Sequence, residues 1–83
     1  MQGRRLPDYT DWSTERKPGE YAKLNDQGFW WAIAPNGDFG CFQSPNWQVE
    51  EHEDRTITVS PSLWFDYPKG WHGFLRRGIW QSC

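Results

Sequence analysis

Hydrophobic and polar residues alternate most clearly between Arg55 and Phe65. In that stretch Ile57 and Val59 fall on one face of an extended chain, and threonine and serine alternate with them on the other. Period-two alternation of β-branched residues is typical of a half-buried β-strand. Pro61 has no backbone donor, so we expect this strand to bend at Ser60-Pro61, at an edge or a bulge.

The rest of the chain supplies partners for this strand. Residues 29–34 are apolar at every position, as expected of a central strand with both faces buried. Asn36-Gly37 then gives the strongest local signal for a β-hairpin. Further strands are predicted at 20–24, 39–42, 47–51, 71–75 and 79–81, with hairpin tips at 52–55 and 76–78. This spacing favours an all-β fold, a small antiparallel sandwich or a barrel-like sheet.

Residues 1–19 form a polar N-terminal arm without strand alternation, and residues 20–83 form one small β domain. A short helix is predicted from Pro7 to Arg16, with Asp8 or Thr10 as its cap. Tyr9 and Trp12 lie three positions apart and would share its apolar face. The arm is therefore expected to be irregular or briefly helical.

Aromatic residues are unusually frequent, with seven Trp, five Phe and three Tyr among 83 residues. A domain of this size has a small core, and each aromatic side chain buries about 150–250 Å². Seven tryptophans exceed what that core can hide, so we expect one or two to be partly exposed and to anchor a protein partner. The candidate partner-binding residues are the tryptophans Trp12, Trp64 and Trp71, with Glu51, Glu53 and Asp54 as a charged rim.

Charge and hydropathy disfavour a nucleic acid and a membrane as partners of this protein. Nine basic and eleven acidic residues give a net charge of −2, which disfavours a nucleic-acid partner. A small nucleic-acid module using Arg76 and Arg77 beside Phe74 and Trp80 stays as an alternative. No apolar run is long enough to span a membrane, and the first residues do not resemble a signal peptide, so a cytosolic location is expected.

Cys41 and Cys83 are the only cysteines. In a reducing compartment we expect two free thiols, at least one of them buried, with a disulfide as the alternative. Together with His52 and His72 they lack the paired spacing of a zinc site. No metal and no cofactor is therefore predicted.

His72 is the other candidate for chemistry, since Ser60, Ser62 and Asp66 are available to complete a hydrolase triad. Neither serine lies in a nucleophile-elbow motif. We therefore interpret His72 as a structural histidine bonded to a backbone carbonyl. No catalytic residue is assigned, and the protein is predicted not to be an enzyme.

Several short motifs resemble a family of short phage and prophage proteins without established activity, whose members often carry the label ammonia monooxygenase. These motifs are Phe29-Trp30-Trp31, Pro45-Asn46-Trp47, residues 56–63, residues 71–75, residues 77–80 and the final Cys83. In that family's pattern a C-x-x-C occupies the places of Ala34 and Gly37, and a cysteine that of Trp71. The resemblance implies a zinc-knuckle-like cluster in relatives, of which only His72 and Cys83 would persist here. It also implies that the cytoplasm is that of a bacterial host.

Taken together, these observations predict a non-enzymatic phage or prophage accessory protein. It would bind a host or phage protein through exposed tryptophan or a free sheet edge, with inhibition of a host defence factor as one role. Self-association through the same edge is a further option. The alternatives are a nucleic-acid-binding module and a degenerate zinc-knuckle-like domain.

Overall fold

The computed structural model describes residues 1–12, 16–66 and 68–83, and the chain forms two four-stranded β-sheets. The strands are β1 (Arg4–Arg5), β2 (Glu20–Lys23), β3 (Phe29–Ile33), β4 (Phe39–Gln43), β5 (Gln48–Glu51), β6 (Ile57–Phe65), β7 (Trp71–Arg76) and β8 (Ile79–Ser82). The first four, in chain order, make one sheet and the last four make the other. The all-β prediction is confirmed, whereas the described residues do not form a closed barrel.

Strands within each sheet are antiparallel neighbours, except that β1 pairs with β2 in parallel. Tight turns set these registers, because Gly37 at the β3–β4 tip has φ +94° and Arg77 and Gly78 between β7 and β8 have φ +47° and +75°. The β7–β8 turn has two residues, both with positive φ, which is the conformation that matches the twist of antiparallel strands. The hairpins predicted at these two places are confirmed.

The main core lies between the two sheets. Trp30 and Phe42 of the first sheet stack 6.3 Å apart, and they share a buried cluster with Leu63, Leu75 and Trp80 of the second. Contact between the layers is close enough to require glycine. A Cβ on Gly40 of β4 would lie 2.2 Å from the ring of Phe65 in β6.

β3 is buried on both faces, as its sequence predicted. Trp30 faces the main core, while Trp31 belongs to a second buried cluster on the other face of the sheet. The N-terminal segment covers that cluster, because the Trp31 indole Nε1 donates to the carbonyl of Thr10 over 2.8 Å and Trp12 packs on Phe39 with ring centroids 6.0 Å apart.

The prediction of a helix from Pro7 to Arg16 is wrong for residues 7–12, which the structure describes. Asp8 and Tyr9 lie in a turn, and Tyr9 has φ +69°, which an α-helix does not allow. Residues 13–15 of that prediction lie outside the described chain. The segment before it extends β-structure instead, since Arg4–Arg5 pairs with β2 and Gln2 bridges to Ile79 of β8.

The long strand β6 carries the irregularity predicted around Pro61. Val59 is opposite Leu75 of β7, but Leu63 is opposite Gly73, so the register shifts between these two pairs. Between these two pairs, β6 has three residues and β7 has only Phe74. The two extra residues of β6 form a bulge, which bends a strand and changes the direction of its side chains. Ser60, Pro61 and Ser62 therefore have no register partner on β7.

Candidate active site

Ser62, at the end of the bulge in β6, lies beside His72 of β7. Trp64 lies directly opposite His72 in the ladder, so Ser62, two residues earlier, is a diagonal neighbour of His72 on the same face. The neighbours Leu63 and Phe65 are buried, which turns Ser62 outward. The Ser62 Oγ lies 3.1 Å from His72 Nε2, within hydrogen-bond distance at the solvent-exposed face of the second sheet.

Two tryptophans border this pair. The Trp64 ring stacks on the imidazole of His72, with centroids 5.0 Å apart and ring planes 26° apart, yet 66% of Trp64 is exposed. On the other side, the indole Nε1 of Trp47 donates to the carbonyl of Ser62 over 2.7 Å. The imidazole and the serine backbone are thus each in contact with an aromatic side chain.

A serine hydroxyl hydrogen-bonded to an imidazole nitrogen is the nucleophile–base unit of acyl-transfer enzymes. When Nε2 accepts the Ser62 proton, the ring carries its own proton on Nδ1. The structure joins no carboxylate to His72 by hydrogen bond or ion pair within residues 1–12, 16–66 and 68–83, and Asp66 is exposed in the loop after β6. The arrangement is a dyad over the described chain.

The earlier interpretation of His72 as bonded through its ring to a backbone carbonyl is wrong. Its ring contacts a serine hydroxyl, and its own backbone carbonyl accepts from the amide of Cys83 over 3.0 Å. Gly73 makes room for this arrangement, because a Cβ there would lie 2.3 Å from the carbonyl oxygen of Gln81.

A second histidine–hydroxyl pair lies elsewhere on the same sheet. His52 Nε2 is 2.7 Å from Thr58 Oγ1, and His52 Nδ1 is 3.9 Å from Glu50. The Thr58 oxygen also accepts from the amide of Arg77 over 3.0 Å, which ties it to the β7–β8 turn. We interpret this pair as structural, because its hydroxyl is a secondary alcohol already bonded within the fold.

The three candidate tryptophan anchors have different environments. Trp64 is the most exposed and adjoins His72, whereas Trp12 is 43% exposed on the opposite sheet. Trp71 is half-buried, since its ring meets Trp80 edge-on at 5.3 Å and contacts Phe65 at 6.2 Å. Trp64 is thus the candidate anchor that adjoins the Ser62–His72 pair.

The acidic residues of the predicted rim are partly engaged within the fold. Glu51 pairs with Arg5 at 2.9 Å and with Lys23 at 3.0 Å, which joins β5 of the second sheet to β1 and β2 of the first. Asp54 accepts from the amide and hydroxyl of Thr56 and shapes the turn before β6. Glu53 is exposed at the same turn.

The environment of Glu51 favours its charged form. Partial burial by itself raises the pKa of this carboxyl, but hydrogen bonds and charges from Lys23 and Arg5 outweigh it and hold the pKa below its ordinary value. A lowered folded-state pKa means that these ion pairs stabilise the fold above about pH 4.3, the ordinary glutamate value, and that their contribution is lost as the pH falls through the folded-state pKa.

We expect Glu51→Gln to lower the free energy of unfolding by about 1 kcal/mol at pH 7, a small value because the side chain is 43% exposed and screened by solvent. Near pH 3 the difference from wild type should shrink. Urea unfolding followed by tryptophan fluorescence measures both, with Glu53→Gln as the matched control. Equal destabilisation at the two pH values would contradict the ion-pair explanation.

The basic residues of the nucleic-acid alternative do not form one patch. The Arg76 guanidinium lies 4.1 Å from the ring centroid of Phe74, while Arg77 lines a surface hollow together with the acidic residues Glu51, Glu53 and Asp54. Carboxylates beside Arg77 weaken the positive potential that phosphate binding needs.

Both cysteines are free and exposed, so the prediction that one thiol is buried is wrong. Cys41 lies in β4 of the first sheet, and Cys83 follows β8 of the second. Within the part of the chain that the structure describes, no three potential metal ligands lie together and no helix is long and apolar enough to span a membrane.

Comparison with protein families gives a match over residues 40–83, more than half of the chain. The matching family is described as the bacterial ubiquitination-like system serine protease, BubE. The chain belongs to the BubE family. Comparison with curated proteins and with solved structures found no match.

Membership of the BubE family overturns the prediction that this protein is not an enzyme, since the family is described as a serine protease. The matched residues run from β4 to the end of β8 and include both Ser62 and His72. Both residues are candidates from the sequence, but neither serine lies in a nucleophile-elbow motif, so the pattern along the chain gives them no catalytic role. The signal that could have found them is their outward position on adjacent strands, which only the β6–β7 register reveals.

Proposed function

We propose that this BubE-family protein is a serine peptidase of a bacterial ubiquitination-like system, with Ser62 as nucleophile and His72 as general base. The observation that supports this most strongly is the 3.1 Å contact between Ser62 Oγ and His72 Nε2 at the exposed face of the second sheet. The family description supports this choice of reaction class, and the geometry of the pair supports this choice of residues.

In the proposed reaction, Ser62 Oγ attacks a peptide carbonyl carbon while His72 Nε2 takes the hydroxyl proton. The tetrahedral intermediate collapses as the imidazolium returns that proton to the leaving amine, and the C–N bond breaks. Water then attacks the acyl-serine ester with His72 again as base, which releases the acid and restores the hydroxyl. Stacking on Trp64 keeps the imidazole in one orientation, a task that a carboxylate performs in a triad.

The protein partner predicted from exposed tryptophan would then be the polypeptide substrate. Trp64 adjoins the dyad and is two-thirds exposed, which suits a residue that contacts a polypeptide near its scissile bond. A bacterial cytoplasm remains the proposed location. The phage or prophage origin, the host-defence role and self-association remain predictions from the sequence.

Covalent labelling tests the nucleophile without a known substrate. We expect a fluorophosphonate to add one phosphonyl group to the folded protein, since Ser62 Oγ displaces fluoride as His72 takes its proton. Peptide mass spectrometry should place the adduct on Ser62. Ser62→Ala should remove labelling, and Ser60→Ala, an exposed serine of the same bulge, should retain it. Labelling that survives in Ser62→Ala, or that is absent from wild type, would contradict the proposal.

A further inference from the structure

Trp47 lies at the start of the second sheet and reaches Ser62 through its indole. Its backbone amide donates to the carbonyl of Gln43 at the end of β4 over 3.0 Å, and its ring packs against the main core. With its backbone and ring both fixed, the indole Nε1 donates to the Ser62 carbonyl over 2.7 Å. Because the indole N–H is held in place, it restricts the position of the Ser62 carbonyl that it contacts.

The sheet gives Ser62 no register partner of its own on either neighbouring strand, so the Trp47 hydrogen bond adds a constraint that the ladder lacks at this residue. The bulge removes residues 60–62 from the β6–β7 register, and the last β5–β6 pair is Gln48 with Ser60. Ser62 thus lies beyond the part of β6 that pairs with β5, and inside the bulge that separates two paired parts of β6 and β7. The indole of Trp47, one residue before β5 begins, donates to the Ser62 carbonyl where the β5–β6 pairing has already ended.

We propose that Trp47 is a positioning residue for the nucleophile, an inference that rests on the proposed peptidase function. The indole N–H fixes the Ser62 peptide and so fixes the direction of the Ser62 Cα–Cβ bond, which places Oγ at His72. Displacement of a reacting atom by about 1 Å costs on the order of 100-fold in rate. Trp47 touches no reacting atom in this scheme and acts only through Ser62.

The test compares rates of Ser62 phosphonylation by a small fluorophosphonate, followed by intact mass. Trp47→Phe keeps an aromatic ring and removes the N–H, and we expect the rate constant to fall by about 10- to 100-fold. Trp31→Phe is the matched control, because it removes an indole-to-carbonyl hydrogen bond of 2.8 Å on the opposite sheet. Its rate constant should stay within about twofold of wild type.

A third variant separates positioning from packing. The Nε2 of histidine occupies the ring position of the tryptophan Nε1, so Trp47→His retains a donor at that place while losing the larger ring. We expect it to react faster than Trp47→Phe. Each variant is labelled at a temperature where circular dichroism shows it to be folded, so that a lower rate constant reports on the site and not on the folded fraction.

The outcomes are distinguishable. A Trp47→Phe rate equal to wild type, or a Trp31→Phe rate that falls as far, overturns the positioning role while the labelled Ser62 still supports the peptidase. Equal rates for Trp47→His and Trp47→Phe also overturn it, because ring loss would then explain both. A wild-type protein that does not react at Ser62 overturns the proposed function and, with it, this inference.

Discussion

Replacing His72 by alanine should reduce the rate of Ser62 acylation by about 10² to 10⁴-fold, the usual contribution of a positioned general base. The serine hydroxyl is a weak nucleophile at neutral pH, and the described chain joins it to no other base. The burst of p-nitrophenol from p-nitrophenyl acetate measures acylation directly, because the acyl-serine forms as the phenol leaves. The substitution lies on an exposed position, so the fold should be retained.

The matched control is His52→Ala, which removes the other histidine of the chain and its 2.7 Å contact with Thr58. If Ser62 and His72 form the active site, His52→Ala should keep the burst rate within about threefold of wild type. A burst that disappears in His52→Ala and survives in His72→Ala would move the active site to the Thr58 pair. Equal losses in both variants would indicate damage to the sheet rather than to the chemistry.

Elements with strong local patterns were predictable from the sequence. The alternation of Ile57 and Val59 places them in the core, and the apolar run that became β3 is buried on both faces because it lies between two strands and beneath the N-terminal segment. Within the Asn36-Gly37 pair, Gly37 provides the positive φ of the β3–β4 turn. In each case the cause lies within a few residues, which is what a pattern along the chain can report.

The candidate site could not be predicted in the same way, because its geometry depends on register between distant strands. Ser62 lies beside His72 because the ladder pairs Trp64 with His72, which makes Ser62 a diagonal neighbour on the same face. A slip of one residue would turn the serine into the core. Likewise, the acidic run at Glu51 gave no sign that its partner would be Arg5, 46 positions away. Such pairings follow from the topology of the whole fold.

Asp38 illustrates how a residue outside the site supports it. Its carboxylate is fully buried, and its two oxygens accept from the backbone amides of Lys69 at 3.2 Å and Gly70 at 2.6 Å. Those amides belong to the loop that joins β6 to β7, and His72 follows Gly70 by two residues. Asp38, the residue before β4, therefore fixes the loop between β6 and β7. The positions of Ser62 on β6 and His72 on β7 depend on that loop.

We expect Asp38→Ala to lower the free energy of unfolding by about 3 kcal/mol, because it leaves two backbone N–H groups without their acceptor and each such loss costs about 1–3 kcal/mol. For a domain of this size that corresponds to a fall in Tm of at least about 10 °C. Thermal unfolding followed by circular dichroism measures it. Asp38→Asn keeps one acceptor oxygen and should lose less.

Asp66→Ala is the matched control, since this carboxylate lies exposed at the start of the same loop and should change Tm by no more than about 2 °C. The two variants also allow the effect on stability to be separated from the effect on the reaction rate of Ser62. Asp38→Ala should slow Ser62 phosphonylation at a temperature where the protein is still folded, because the β6–β7 connection loosens. If Asp38→Ala and Asp66→Ala unfold at the same temperature, the buried carboxylate does not hold the loop, and the register at Ser62 must be maintained by the strands alone.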